Sequence, residues 1–420
     1  MGMRRGQYQI MNSQSRRRGL DFCRACESTE IFAAYDLGYL PIANELHSIA
    51  NASYEEYPLT LSVCRTCTLG QVQDVVTPER LFQDYRYTSS TSTTFLNHAK
   101  TFVNRVVSEM ELTEQDWVLE IASNDGYLLR NFLPMGINVI GIEPSINIGK
   151  IASESGVQTI TEFFSSNLAE KILNQHGYPK LIIANNVLAH VPDIRDFMLG
   201  LSILCGKQTV ISIENPSLLN ILELNQFDSI YHEHFSYLTA NSVSFLAESF
   251  GLNLFHVESI PTHGGSNRYW VERSSHVSQQ TTDLIRFEEN ALIRQPDKWV
   301  SSFNEVRKTV QEFADWLDAC NREGGRVVGY GAAAKASTLL NLAKVGPDLL
   351  PLIADKSSQK KGRYMPSGSI PIVDLTELIA FNPSDIVIFP WNIASEIHID
   401  LKDTILESRF WKAIPAMTRL

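Results

Sequence analysis

Trp117-Val118-Leu119-Glu120-Ile121-Ala122-Ser123-Asn124-Asp125-Gly126-Tyr127-Leu128-Leu129-Arg130 decides the fold. An apolar, strand-forming run gives way to small and turn-forming residues and then resumes with apolar positions at helical spacing, which predicts a core strand turning into a helix. Small residues at that turn let backbone approach a ligand, and a helix opening at Tyr127 would offer free N–H groups and positive potential. Strand patterns over residues 117–122, 138–143, 157–160, 181–185 and 209–214 alternate with amphipathic helical stretches. This predicts an α/β fold with a mostly parallel sheet covered on both faces. A helical stretch at 242–250 and two runs at 253–259 and 268–273 close the sheet as an antiparallel hairpin.

The second strand ends in Gly141-Ile142-Glu143-Pro144-Ser145. A carboxylate about 20 residues beyond the first turn is placed to accept both hydroxyls of an adenosine ribose. That position alone does not separate NAD from S-adenosylmethionine. No full G-x-G-x-x-G is present, so no pyrophosphate cradle is offered, which favours S-adenosylmethionine. Candidate cofactor contacts are Glu120, Ser123, Asn124, Asp125, Gly126, Glu143, Pro144 and Asn185. Asp125 as a plain helix N-cap is the competing reading. Five strands and a hairpin are the count of a class I methyltransferase, or Rossmann-like, sheet.

The chain has 420 residues, of which 44% are hydrophobic. One core rarely grows past about 250 to 300 residues, so two or three domains are expected. A net charge of −11 and a pI near 5.4 argue against a nucleic-acid binder. No apolar run approaches the roughly 18 residues of a membrane span, and the basic, polar residues 1–20 read as a disordered leader, so a cytoplasmic protein is expected. Cys23 and Cys26 form one C-x-x-C, Cys64 and Cys67 another. Four thiolates at about 2.3 Å satisfy Zn²⁺ and leave no open position, so the expected metal is structural, within a small β subdomain. A redox dithiol is the alternative. Cys205 and Cys320 read as ordinary buried thiols.

Just past the fifth strand, Tyr231-His232-Glu233-His234-Phe235-Ser236-Tyr237 concentrates imidazole, carboxylate and phenol. A His-x-His metal pair and aromatic packing compete with acid/base chemistry, the reading such a set of proton-transfer groups favours. His232 reads as structural. Residues 281–321 read as a helix broken at Pro296, leading into a last domain with strands at 326–330, 349–354, 385–389 and 411–414. Gly331-Ala332-Ala333-Ala334-Lys335 at its first turn, with the basic loop 356–363, offers a phosphate site.

Together E-I-A-S-N-D-G-Y-L-L, G-I-E-P-S, N-N-V-L-A-H-V, Y-H-E-H-F-S-Y, H-G-G-S-N-R and G-Y-G-A-A-A-K-A-S resemble the three-domain nucleotide-sugar C-methyltransferases, which methylate C-3 of a 4-keto-6-deoxyhexose. The likeness runs from about Cys23 to the C-terminus. It implies structural Zn²⁺ on Cys23, Cys26, Cys64 and Cys67, S-adenosylmethionine in the middle domain, and a smaller C-terminal α/β domain that helps to hold the nucleotide sugar. Residue by residue, it puts the catalytic base on His234, with Tyr231 and Glu233 beside it, and His190 and one of Tyr85 and Tyr87 in the same pocket. Tyr87 is preferred of that pair. His263 and Lys335 become candidate substrate contacts. Glu233 is expected to hold the imidazole tautomer or to bond to the sugar.

The expected organisation is a leader at 1–20, a zinc-binding domain at 21–84, a methyltransferase domain at 85–277, a helical connector at 278–323 and a Rossmann-like domain at 324–420. The expected partner is a thymidine- or guanosine-diphosphate sugar, with no nucleic acid or membrane, and the expected state is a monomer. The competing functions are an NAD-dependent nucleotide-sugar oxidoreductase and a non-catalytic zinc-bearing interaction protein.

Overall fold

A computed structural model describes residues 21–420, apart from 51, 74, 75, 78, 79, 82–89, 91, 92, 275, 292 and 367. The N-terminal part builds strands β1 (Ile31–Pro41), β2 (Glu56–Cys64) and β3 (Gly70–Gln71) in antiparallel order. Strands β1 and β2 pair along their whole length, through Pro41 opposite Glu56.

The middle of the chain supplies β4 (Trp117–Ile121), β5 (Asn138–Ile142), β6 (Gln158–Ile160), β7 (Leu181–Asn185) and β8 (Val210–Pro216). Next come β9 (Ser236–Tyr237), β10 (Asn253–Ile260) and β11 (Ser266–Glu272). The large sheet runs β10-β11-β8-β7-β4-β5-β6, parallel from β6 to β8 and antiparallel at β11 and β10. Strands β4, β5 and β7 are almost wholly buried, as a sheet covered on both faces requires. Strand order reverses beside β4, so the carboxyl ends of β4, β5 and β7 face one crevice, the usual ligand position in such a sheet. β9 does not join this sheet. It pairs antiparallel with β3, Gly70 opposite Tyr237 and Gln71 opposite Ser236, as the fourth strand of the N-terminal sheet.

One local expectation fails. No α-helix opens at Tyr127; two short 3₁₀ turns, Leu129–Asn131 and Leu133–Met135, take its place. Pro134 lies within the run; it has no N–H to give and its ring would clash with the carbonyl four residues back. Left-handed Gly126 and Gly136 bound the segment at φ 75° and 73°. The positive end of a helix is therefore not available at this turn.

Helices Gln279–Asn290 and Pro296–Arg322 follow, with Pro296 in the first turn of the second, where its missing N–H costs nothing. The last sheet comprises β12 (Val327–Tyr330), β13 (Ile353–Ala354), β14 (Ile372–Val373), β15 (Asp385–Ile388), β16 (Arg409–Lys412) and β17 (Thr418–Arg419), in the order β14-β13-β12-β15-β16-β17. It is parallel except at β17. The strand expected over 349–354 shrinks to its last two residues, and β16 begins two residues before the expected 411–414. β14 and β17 are too short to leave a periodic signal.

The N-terminal sheet, the long helix and the last sheet share one continuous core. Tyr35, Leu61, Phe227, Tyr237, Trp299, Phe313, Val327 and Ile353 all belong to it. Tyr35 packs edge-on to Trp299 and stacks on Phe303, each at 5.2 Å between ring centres. Trp299 Nε1 donates to the Ile293 carbonyl at 2.8 Å. Trp299→Ala should therefore cost about 3–5 kcal/mol, measured by urea denaturation followed by circular dichroism. A change within error would mean that this seam carries little of the stability.

Candidate functional site

The two C-x-x-C knuckles have the same local geometry. Glu27 N–H donates to the Cys23 carbonyl and Thr68 N–H to the Cys64 carbonyl, at 2.8 and 3.0 Å, and both Glu27 and Thr68 turn left-handed at φ 62°. The folds converge four sulfurs within 4.8 Å of one another; Cys23 to Cys67 and Cys26 to Cys64 are each 3.5 Å. A tetrahedral zinc with bonds of about 2.3 Å needs sulfur separations of about 3.8 Å. The donor set fits. Hydrogen bonding with Cys64 raises the Cys23 thiol to about 12 while Cys64 itself is drawn well down. This is competition for a single negative charge, which a dication would end.

At the crevice, Ala122 and Asn124 both adopt left-handed backbone, φ 58° and 50°, a strained state that functional turns tolerate. Ser123 N–H donates to the Ile142 carbonyl, and its side chain lies so close to Gly141 that a Cβ there would stand 2.4 Å from Ser123 Oγ. Gly141 thus lets the turn settle on β5. Glu143 accepts from Asn124 N–H at 3.1 Å and Ser145 N–H at 2.9 Å. Pro144 is half-buried beside it, and Glu120 Oε2, Ser123 Oγ, Asp125 Oδ1 and Asn185 Oδ1 are buried without a hydrogen-bond partner among the described residues. Burial, with Asp125 and Glu143 nearby, raises the Glu120 carboxyl well above its usual range; burial also raises Glu143. No ion pair to Glu120, Asp125 or Glu143 occurs among the described residues. A crevice of orphaned acceptors and uncompensated carboxyls suits a ligand that brings hydroxyls, an ammonium and a sulfonium, as S-adenosylmethionine does.

The histidine segment is a turn followed by strand. His234 N–H donates to the Tyr231 carbonyl at 3.0 Å, which sends the two imidazoles apart; they do not point the same way, as an extended segment would have required. His232 Nε2 donates to the Tyr57 carbonyl at 3.3 Å, in the N-terminal sheet. His234 Nδ1 donates to the Ser229 carbonyl at 3.1 Å, which leaves the Nε2 lone pair toward Tyr231 Oη at 2.9 Å. Glu233 does not hold this tautomer. Its carboxylate accepts from the Asn44 backbone and side chain, both at 3.0 Å, because the turn directs it away from the imidazole. His190 Nδ1 donates to the Glu233 carbonyl at 2.7 Å, and its ring meets that of His234 at 4.6 Å between centres. Burial, and secondarily His190, keeps His234 far below the usual imidazole range; burial lowers His190 and His232 to about 4.

The last domain reaches the same pocket. Lys335 donates to Ser229 Oγ and lies 4.0 Å from Asp228 Oδ1 and 4.6 Å from the Trp391 ring centre. Loop lysines Lys356, Lys360 and Lys361 are paired with Asp400, Asp355 and Asp374. His263, left-handed at φ 54°, packs 5.0 Å from Phe95, and burial and then Lys335 lower it to about 4. Tyr85 and Tyr87 lie outside the described residues.

Sequence reasoning missed several residues. Asp228, Ser229 and Trp391 gain meaning only from contacts across the fold. Glu214 accepts from Arg268 and from Thr262 Oγ1 at 2.9 Å and lies 3.0 Å from His98 Nε2. Burial would raise it, but His98 and Arg268 bring it down to about 2. An acid closing a core strand at 214 and an arginine in the facing hairpin strand were the available signal.

Residues 23–82 match the family model of a zinc binding domain, 95–257 that of a methyltransferase domain, and 261–415 that of a C-methyltransferase C-terminal domain. The chain is 31% identical over 408 residues to the C-methyltransferase NovU of Streptomyces niveus, covering 95% of this chain and 96% of that protein. Among solved structures, it is similar to the magnesium protoporphyrin IX methyltransferase ChlM of Synechocystis PCC 6803 with bound SAH, at 15% identity and TM-score 0.35 over 47% of this chain and 92% of that one. It is also similar to the PH0226 protein of Pyrococcus horikoshii OT3, at 12% identity and TM-score 0.37 over 46% and 99%. Overlays this loose add nothing to the assignment. No described helix is long and apolar enough to cross a membrane.

Two measurements check the site. Cys64→Ser should lose zinc, by atomic absorption, and unfold the N-terminal sheet, since metal binding and folding are coupled; a full equivalent of zinc in that variant would exclude the four-sulfur site. In protein labelled with ¹⁵N-histidine, His190, His232, His234 and His263 should be neutral at about pH 6, below the free imidazole value of about 6.5, because burial disfavours the charged ring. His234 should show the Nδ1–H tautomer. A protonated His234 there would mean that water reaches the ring.

Proposed function

Because the chain belongs to the three-domain C-methyltransferases, enzymes that draw their methyl group from S-adenosylmethionine, we propose that its acceptor is a nucleotide-linked 4-keto-6-deoxy sugar, methylated at C-3 with His234 as base. The observation that carries this reading is the pairing of His234 with the Ser229 carbonyl. It occupies Nδ1 and leaves Nε2 as the basic nitrogen of a half-buried, neutral imidazole.

A hydrogen beside a ketone leaves only if a base takes it and the enolate oxygen is stabilised. Nε2 accepts the C-3 proton. Tyr231, whose hydroxyl already lies at Nε2, is the donor suited to the enolate oxygen. His190, its Nδ1–H committed to Glu233, lines the same pocket beside the acceptor. Bound S-adenosylmethionine supplies an electrophilic methyl whose departing sulfur keeps the bonding pair. The chain's part is to fix the enolate carbon in line with that methyl, since alignment dominates such a displacement. Glu120, Ser123, Asn124, Asp125, Gly126, Glu143, Pro144 and Asn185 hold the donor. Glu233 braces the turn through Asn44. Tyr87 or Tyr85, with His263 and Lys335, face the acceptor, and the positive charge on the side of the last domain suits a diphosphate. We further read the enzyme as a cytoplasmic monomer.

His234→Asn should abolish methyl transfer and solvent-deuterium exchange at C-3, while S-adenosylmethionine affinity by calorimetry stays near wild type. Exchange that persists would move the base to another residue. Screening thymidine- and guanosine-diphosphate 4-keto-6-deoxyhexoses by mass spectrometry should find one that gains a single methyl group; no gain on any would remove the sugar from the reading.

A further inference from the structure

Segment 227–230 supports the proposed base, yet it is held from outside the methyltransferase sheet. It is a short 3₁₀ turn, Phe227–Ser229, followed by Ile230, and all four residues are buried. Its backbone–backbone bonds are Ser229 N–H to the Gln226 carbonyl and Ile230 N–H to the Phe227 carbonyl, and the Asp228 carboxylate accepts from the turn's own N–H groups; none of these bonds holds the Ser229 carbonyl itself. Further polar restraint comes from the last domain. Lys335 donates to Ser229 Oγ, Thr338 Oγ1 donates to the Ile230 carbonyl at 3.2 Å, and Trp391 Nε1 donates to Asp228 Oδ2 at 2.7 Å. Trp391 also closes over Gly264, where a Cβ would stand 2.2 Å from the indole, and Gln226 ties the Gly264 carbonyl at 2.7 Å.

Burying an ammonium beside a carboxylate that it meets at only 4.0 Å is a poor way to gain stability, and an apolar side chain would do as well or better. Such pairs are best explained by what they hold in place. We infer that Lys335, with Thr338 and Trp391, is a positioning residue for His234: the C-terminal domain clamps the turn whose Ser229 carbonyl sets the tautomer and aim of the imidazole. This rests on the reading of His234 as the base. The clamp explains how the last domain serves proton abstraction without supplying a reacting group.

The groups facing His234 are His190, Tyr231, Tyr237, His263, and Lys335 with its partner Asp228. Of these, the Lys335 ammonium, drawn down by burial and held up by Asp228, disfavours the imidazolium. Lys335→Met should therefore do two things. The misaimed ring should slow C-3 deuterium exchange at saturating sugar by about tenfold or more. The lost charge should raise the imidazole pKa, moving the acid limb of the exchange–pH profile to higher pH. Ser229→Ala removes the tether but keeps the ammonium, so exchange should slow with the limb in place. Lys308→Met, on the exposed face of the long helix, should match wild type.

The assay uses the full-length zinc-loaded enzyme and the 4-keto-6-deoxyhexose nucleotide that gains a methyl group, with S-adenosylmethionine affinity as the check on folding. If Lys335→Met no longer binds S-adenosylmethionine, Ser229→Ala decides alone. A loss confined to KM, with exchange at saturating sugar unchanged, would leave Lys335 a substrate contact without a positioning role and overturn the proposal, as would wild-type exchange in Ser229→Ala. Exchange surviving in His234→Asn would instead refute the base assignment, leaving the two failures distinct.

Discussion

The rest of the site depends on a strand pair two residues long: Gly70–Gln71 against Ser236–Tyr237. Through it, the segment that carries Tyr231, Glu233 and His234 becomes part of the sheet stapled by the cysteine knuckles. So short a ladder is not stable alone. It is flanked by Thr68 Oγ1 against Thr239 Oγ1 at 2.7 Å, Asn241 Nδ2 donating to the Cys67 carbonyl at 3.0 Å, and Val72 N–H donating to the Phe235 carbonyl at 3.1 Å. A metal held by four sulfurs thus fixes the second knuckle, the knuckle fixes β3, and β3 fixes the strand that follows His234. The zinc domain is the footing of the histidine segment.

Burial then sets the chemistry. The pocket holds several imidazoles in an interior that disfavours charge, so they stay neutral and able to accept protons. A neighbouring crevice holds Glu120, Asp125 and Glu143 without a cationic partner among the described residues. The same low-polarity surroundings keep one half of the site receptive to a proton and the other to a positively charged ligand. Glu214 is the contrasting case, since Arg268 and His98 compensate it and it remains ionised.

Much of this was legible in the sequence because it is local. Strand β7 occupies the expected residues, β4 and β5 end within a residue of theirs, and the cysteine spacing anticipated the sulfur cluster that forms. What misled was also physical. Apolar spacing after Gly126 suggested a helix, and Pro134 prevents it. The bond expected between Glu233 and the imidazole does not form, because one turn separates His232 from His234 and sends Glu233 to Asn44. The tautomer of His234 is set by a backbone carbonyl, and carbonyls leave no mark in a sequence. Lys335 and Trp391 lie more than a hundred residues from the turn they hold, so only the folded chain reveals that they act on it.

The core shared by the N-terminal sheet, the long helix and the last sheet bears on how this protein can be rebuilt. Family models divide the chain near residue 260, but the physical joint does not lie there: Gly264 sits under Trp391, and Asp228 and Ser229 are gripped from beyond residue 330. A chimera that takes its C-terminal third from a relative would inherit a clamp without the turn cut to fit it. Recombination within this family has to treat residues 226–230 and 262–265 as cargo of the last domain, although sequence order assigns the first of these stretches to the methyltransferase.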